Sequence, residues 1–587
     1  MSLNRFPVFL TLALGAFCSS SAGAVADYDA RPFLQALSPA WKARMPSALG
    51  LDSLSHLPLY QMSVRLRPVS SEVLVELEIN YKNTGRAPLD RLVLRTLANS
   101  ESISPRSLLS VREVKINGVP ASFSQPHPTV LRLELSPPLA GGERVLVNIS
   151  CRTEIPFLPE SSGEDVLADL TGSNNAGYGI LGQARGVFNL ALFYPLLAAR
   201  QGAVWDEEPP ASLGDPINLD PANFLVRLRL PRAMRVAFTG LQLGEQPLGS
   251  GPEAERELYL MATAVRHFAL HASSRYLELE KNWAGVKLRV LALDEDRSTA
   301  EKMLAESEKV LKAFSSWLGA YPYASFQLAE APLAGGAGGM EYPGMAAIAS
   351  QLLHPQQGGP LGALLDLVLG QAQTVEFVLA HEAAHQWFHA LVGSDSRRHP
   401  FVDEAPANYL AVMYLEKAYG SSAAENQLGL QLLSPIWLWR ILGGTDGVVD
   451  RPAEAFANLL EYSALVYGKG ALFFHKLRLV MGREKFLDCL KALCARFAFR
   501  HLTPAELKEQ LAFCHPQAAS LFERWLRGRH LEEDLAQLGL DLESGLERLL
   551  GLLGSLQGFH NFKFDGPLPA GTLELFQEAV RQLSGGP

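Results

Sequence analysis

Cysteine is scarce, with five in 587 residues, and none sits in a C-x-x-C pair. That excludes a small disulfide-framed domain and argues against thiolate metal ligation. Basic runs are missing as well. The formal net charge is -9, and no stripe of Lys and Arg is present to follow a phosphate backbone, so no nucleic-acid partner is expected. Beyond the N-terminus no stretch reaches the ~18 apolar residues of a bilayer-crossing helix, and no transmembrane span is expected in the mature chain. No internal repeat is found. What remains, 48% hydrophobic and 19% charged, is the composition of an ordinary globular protein. Its length calls for about two to four domains.

The N-terminus has a character of its own. Arg5 precedes an apolar run from Phe6 to Phe17, and small residues follow, ending in Ala22-Gly23-Ala24-Val25-Ala26. A short positive region, a short hydrophobic stretch and an A-x-A site read as an export signal. Cleavage is expected after Ala26, with Ala24 the second choice and an uncleaved anchor the alternative. Phe17 is too bulky for the position before a lipid-modified cysteine, so Cys18 is not read as one. The mature chain is therefore expected outside the cytoplasm, in the periplasm or beyond the cell. Cys151, Cys489, Cys494 and Cys514 remain in it, and a bridge such as Cys494 to Cys514 is one pairing the spacing allows.

From about 58 to 275 the pattern is β. Val73, Val75, Leu77, Ile79 and Tyr81 alternate with Glu76, Glu78 and Asn80, which gives a strand one apolar face. The same alternation runs through Leu131 to Leu135, Val145 to Ile149 and Phe224 to Leu230. Asn117-Gly118, Gly141-Gly142 and Pro231 punctuate it. Near 285 the period changes. Val286 to Leu293 is one more strand, and Ser298 to Leu318 reads as an amphipathic helix with Met303, Leu304, Val310, Leu311 and Phe314 on one side, ended by Tyr321-Pro322-Tyr323. A glycine-rich loop spans Gly335 to Gly344. From Thr374 the chain reads as helical almost to its end, with breaks at Gly393 to Pro400, Gly443 to Pro452 and His515-Pro516.

One motif carries chemistry: His381-Glu382-Ala383-Ala384-His385, in a segment read as a helix from Thr374 to Val392. Histidines at i and i+4 share a helical face, so both imidazoles can reach one ion. Eighteen residues separate His385 from Glu404, which opens a second apolar helix. A carboxylate from there completes a His2Glu set of the kind that binds catalytic zinc. Asp403 is the competing ligand, read here as a cap or supporting group. His389 continues the same face one turn on and reads as a bystander.

The run Val378 to Phe388, with Glu404 at that spacing, resembles the aminopeptidase N family of gluzincins. Three further stretches agree with the resemblance: Gly338-Gly339-Met340-Glu341, Tyr467-Gly468-Lys469-Gly470, and Phe193-Tyr194-Pro195 to Gly214-Asp215-Pro216. The likeness runs from about 58 to 530. It implies a multidomain α+β fold: a β-sheet saddle or sandwich over 27-275 after the signal at 1-26, a thermolysin-like α/β catalytic domain over 276-480, and a short helical region over 481-587. It also implies one Zn2+ held by His381, His385 and Glu404. Glu382 is expected as general base and Tyr467, with Tyr462 its nearby rival, as oxyanion donor. Glu341 is expected to bind the free α-ammonium of a peptide substrate, with Gly338, Gly339 and Met340 along its backbone. Pro406 falls in what is read as the first turn of its helix. The expected activity is that of a zinc aminopeptidase. Its rivals are another zinc hydrolase on the same site, an endopeptidase or an epoxide hydrolase, and a non-catalytic peptide-binding protein.

Overall fold

The computed structural model describes residues 25, 27–45, 54–159, 177–202, 204–216, 218–353, 375–441 and 443–540. The expected export signal lies outside these residues apart from Val25, and so does the tail beyond 540.

The alternation read from the sequence builds the first half. Leu59–Arg67 pairs antiparallel with Glu72–Lys82 and parallel with Ala222–Pro231, at the centre of an eight-stranded sheet. In Glu72–Lys82 the residues Val73, Val75, Leu77 and Ile79 are buried while Glu76 is exposed, so one face of the pleat meets the core. Asn117 and Gly118, with φ of 50° and 81°, form the tight turn between Leu109–Ile116 and Val119–Pro120. Positive φ at both positions matches the twist of a two-residue hairpin. Two four-stranded sheets and a two-stranded ribbon, Arg200–Gln201 with Val204–Trp205, complete this half among the described residues.

A five-stranded sheet begins at Tyr276. Its order is Tyr276–Trp283, Val286–Leu293, Ser325–Ala331, Met345–Ala349 and Gly339–Met340. The middle strands pair in parallel, and Ser325–Ala331 is buried on both faces, as a covered parallel strand must be. The helix Arg297–Leu318 makes the crossover between Val286–Leu293 and Ser325–Ala331, burying Met303, Val310, Leu311 and Phe314. It stops at Gly319, where φ is 103°, and not at Tyr321-Pro322-Tyr323. A residue without Cβ leaves the helical region first.

Helices make up most of the described remainder. The bridge there is Cys489–Cys514, with Cys494 free and buried, in place of the Cys494 to Cys514 pairing that the spacing also allows. Five residues along one helix turn the side chain by about 140°, so only Cys489 is in phase with the end of Pro504–Cys514. The two halves interlock through buried polar contacts. Gln327 Nε2 donates to Phe238 O at 2.8 Å, and Asn189 Nδ2 donates to Pro332 O at 3.1 Å.

Candidate active site

The helix Val375–Ala384 carries His381, and His385 follows directly at its end; the helix is eight residues shorter at its C-terminal end than the spacing predicts. His385 N still donates to His381 O at 3.2 Å, so the i, i+4 relation survives. Beyond it the chain turns back sharply. His385 Nδ1 bonds Phe388 O at 2.8 Å, and His389 follows with φ 140°. Because Nδ1 carries the proton in that bond, neutral His385 presents a lone pair at Nε2.

His381 Nε2 and His385 Nε2 lie 3.1 Å apart, and Glu404 Oε2 is 3.3 Å from each. A tetrahedral zinc with ligand bonds of about 2.0 to 2.1 Å requires donor pairs about 3.3 to 3.4 Å apart. The triangle fits. Glu404 Oε2 is buried and accepts no hydrogen bond, and three acceptors this close call for a cation. Glu404, buried in this way, needs that cation to stay ionised at low cost. Its helix is Phe401–Tyr419, which begins earlier than expected and puts Pro406 in the second turn. Asp403 is turned away from the triangle. Its Oδ2 accepts from the hydroxyls of Ser394 and Ser396, both at 2.6 Å, and its Oδ1 from Glu404 N.

Glu382 lies against the glycine loop. A Cβ on Gly339 would stand 2.3 Å from Glu382 Oε1, so only glycine lets the strand come so near. Burial, then the neighbouring Glu341 carboxylate, raise the Glu382 carboxyl well above its usual range. Gly339–Met340 is the edge of the five-stranded sheet, paired on one side with Met345–Ala349. Gln386, fully buried, fixes this loop to the histidine turn. Its Oε1 accepts from Gly344 N at 2.8 Å and its Nε2 donates to Tyr342 O at 3.1 Å.

Tyr467 belongs to a π-helical turn, Ser463–Lys469, a form that recurs at functional sites. Its ring centroid is 5.9 Å from that of His381. Burial, then Glu404, raise its hydroxyl well above 10, so it stays protonated and can donate. Against the ring of Tyr467, at 5.9 Å between centroids, stands that of Tyr462, which also borders the site. A Cβ on Gly214 would lie 2.6 Å from its hydroxyl. Lys469 is wholly buried and donates to Asp446 Oδ1 at 2.7 Å, to Gly447 O and to Gly528 O.

Glu341, His381, Glu382, His385, Glu404, Tyr462 and Tyr467 border one cavity of about 190 Å³, whose walls also include Met340, Phe377, Pro435 and Leu459. Four participants carry no assigned role in the sequence reading. Asp215 and Tyr178 line the cavity, and Tyr178 Oη accepts from Gly214 N at 2.9 Å. Asn408 Nδ2 donates to Tyr467 O at 3.0 Å. His389, read as a bystander on the histidine face, instead leaves that face and meets Asp215, Glu341 and Asp403. The Gly214-Asp215-Pro216 stretch was the one sequence signal for any of them.

Comparisons with known proteins agree with this picture. The peptidase family M1 domain matches residues 303–525. The chain is 23% identical over 454 residues to leukotriene A-4 hydrolase of Xenopus laevis, covering 74% of this chain and 67% of that protein. It is 33% identical over 165 residues to aminopeptidase N of Lactococcus lactis subsp. lactis, covering 26% of this chain but only 18% of that protein. Among solved structures, an M1 zinc metallopeptidase from Deinococcus radiodurans superposes with a TM-score of 0.55 at 18% identity, over 81% of this chain and 94% of that one. A mutant of that protein has been solved bound to a Tyr-Ser-Ala substrate.

Proposed function

We propose that this chain, a member of peptidase family M1 and a zinc metallopeptidase, is an aminopeptidase that removes the first residue from peptides with a free N-terminus. One observation carries the reading. The His381, His385 and Glu404 triangle and the buried Glu341 carboxylate border the same cavity. A peptide entering that cavity meets a negative group just before its first carbonyl reaches the metal ligands. A buried carboxylate rewards an ammonium group and leaves an internal amide unpaired.

When bound at the triangle, zinc supplies Lewis acidity to the scissile carbonyl and to the attacking water. The remaining roles fall to the protein's own groups. Glu382 takes the proton from the attacking water and passes it to the departing amine. Tyr467 donates its hydroxyl hydrogen to the oxygen on which negative charge develops. The free edge at Gly339–Met340 lets an extended substrate backbone lie alongside the sheet, with Gly338 leaving room. Residues 276-480 are read as the catalytic unit, with 27-275 framing the substrate.

The N-terminal leader pattern and the Cys489–Cys514 bridge together favour action outside the cytoplasm, where disulfides persist. N-terminal sequencing of the protein recovered from its native compartment tests this, with Asp27 the expected first residue.

Aminoacyl-fluorophores, assayed with and without a chelator, test the activity. Release should stop with chelator and return with zinc. It should be lost in Glu382→Gln and fall about a hundredfold in Glu341→Ala, the size expected for an unpaired buried ammonium. Full activity of Glu341→Ala would refute the aminopeptidase reading while leaving a zinc hydrolase.

A further inference from the structure

Lys469 carries an ammonium group where solvent does not reach. It closes the π-helical turn that bears Tyr467, and its side chain is wholly buried. It is not among the residues that border the cavity. All three of its donors are used. Nζ donates to Asp446 Oδ1 at 2.7 Å, to Gly447 O at 3.0 Å and to Gly528 O at 2.9 Å. An ammonium offers three N–H groups and no acceptor, so the set is complete. A side chain needed only to fill this space would do as well if apolar, without the desolvation of a charge.

The acceptors come from two segments distant in the chain, and neither lies in the turn of Lys469. Asp446 and Gly447 belong to the stretch before the helix Leu459–Tyr462, and Gly528 ends the second π-helical turn, Glu523–Arg527, in the C-terminal region. These two segments are also tied to each other. Asp446 Oδ2 accepts from Leu531 N at 3.0 Å, and Val449 N and Asp450 N both donate to Leu526 O, at 2.9 and 3.0 Å. Lys469 thus joins the tyrosine turn to a frame that is already closed. The ammonium is two residues beyond Tyr467, whose own carbonyl is held by Asn408. A hydroxyl that serves charge developing only in the transition state must be held in advance, and its misplacement appears in the rate rather than in substrate binding.

We propose that Lys469 is a positioning residue for the Tyr467 hydroxyl, and that through Gly528 the C-terminal region helps to set that position. The inference rests on the reading of Tyr467 as donor to the developing oxyanion. It adds that the donor is fixed from behind the turn, by a buried cation that grips two other segments. Lys469 neither touches the substrate nor moves a proton. The metal ligands lie on other segments, so zinc binding does not depend on it.

The zinc-loaded full chain, Lys469→Met, Tyr467→Phe and the double variant form a cycle read by kcat and KM on leucyl-fluorophore. All are assayed below their melting transitions, with zinc content measured for each. Lys469→Met should lower kcat about tenfold, keep KM within about threefold and leave zinc content at the parental level. Tyr467→Phe should lower kcat about a hundredfold. In that background Lys469→Met should cost less than about twofold more, because the hydroxyl it misplaces is already gone. Loss of packing alone would act equally in both backgrounds. Gly528→Ala approaches from the far segment. Its Cβ would stand 2.4 Å from Arg524 O, so the carbonyl that receives Lys469 has to shift. It should lower kcat about threefold at constant KM, again only while the tyrosine is present. Where Lys469→Met does not fold, Gly528→Ala carries the same cycle. Equal loss of kcat in both backgrounds overturns the proposal, as does parental kcat in Lys469→Met or a rise in KM without a fall in kcat. Parental kcat in Tyr467→Phe overturns the reading of the tyrosine, and this inference with it.

Discussion

Asn408 Nδ2 donates a hydrogen bond to the backbone carbonyl of Tyr467 at 3.0 Å, so the helix that supplies Glu404 also holds the turn that supplies the tyrosine. The relationship has a cause in the local backbone. Tyr467 lies in a π-helical turn, where widening of the helix disturbs the regular pairing of carbonyls. Asn408 is one helical turn beyond Glu404, on the same face. Metal ligand and hydroxyl donor are thereby set in one frame.

Asn408→Leu should therefore loosen the tyrosine without touching the metal. Leaving a buried carbonyl without its donor costs about 1 to 3 kcal/mol, and part of that appears as a displaced hydroxyl. We expect kcat to fall about tenfold or more with KM and zinc content little changed. Steady-state kinetics and metal analysis of the purified variant check it.

Gly339→Ala presents the opposite balance. The added Cβ meets the Glu382 side chain along its length, 2.3 Å from Oε1, 2.5 Å from Cδ and 2.6 Å from Cγ, so that side chain must take another rotamer while the backbone stays in place. Stability should fall by less than about 1 kcal/mol. Activity should fall at least about a hundredfold, because a base moved by an ångström loses its alignment with the water. Thermal melts and kcat/KM measured together decide it, and a variant of parental activity would show that Glu382 does not act from this position.

Gly393→Ala should act on stability first. Its Cβ would fall within the Arg266 guanidinium, and displacing that group removes the donors of His389 O, Leu219 O and Arg500 O. Stranding a buried cation and its carbonyl partners costs about 2 to 5 kcal/mol. Urea unfolding of the variant measures the loss.

A pH signature follows from His267. Burial pushes its imidazole down from 6.5 to about 3, and the charges of His389 and Arg266 add to that. Neither ring nitrogen has a hydrogen-bond partner. The unfolded chain takes up this proton near pH 6.5 and the folded chain only near 3. The contribution of the neutral ring to stability is therefore complete above 6.5 and is lost as the pH falls toward 3. The slope for one such proton is about 1.4 kcal/mol per pH unit. His267→Phe should retain stability at neutral pH and lose this part of the slope between about pH 6 and 4. Unfolding free energies across that range check it.

The reach of the sequence follows from which relations are local. His381 and His385 sit one helical turn apart, and periodicity alone aligns them. Val73 to Tyr81 shows its buried face by simple alternation, because a strand's side chains alternate by geometry. The histidine helix ends eight residues before Val392, at a sharp turn closed locally by the bond from His385 to Phe388 O, and no glycine or proline announces that turn. Spacing leaves both Cys489 and Cys494 open as partners of Cys514, because it does not give helical phase relative to another element. Asp215, Asn408 and His389 acquire their places only when distant segments meet, and Arg266 clamps a turn more than a hundred residues away. For such residues the sequence offers type without partner.

The central claim is cleavage from a free N-terminus by the zinc-loaded chain. A single peptide of defined sequence, supplied once with a free N-terminus and once N-acetylated, tests it most directly, with products followed by mass spectrometry. The account predicts stepwise loss of single residues from the free end, stopped by chelation and restored by zinc, with the acetylated peptide left intact. Cleavage at internal bonds, or comparable hydrolysis of the acetylated peptide, would contradict it.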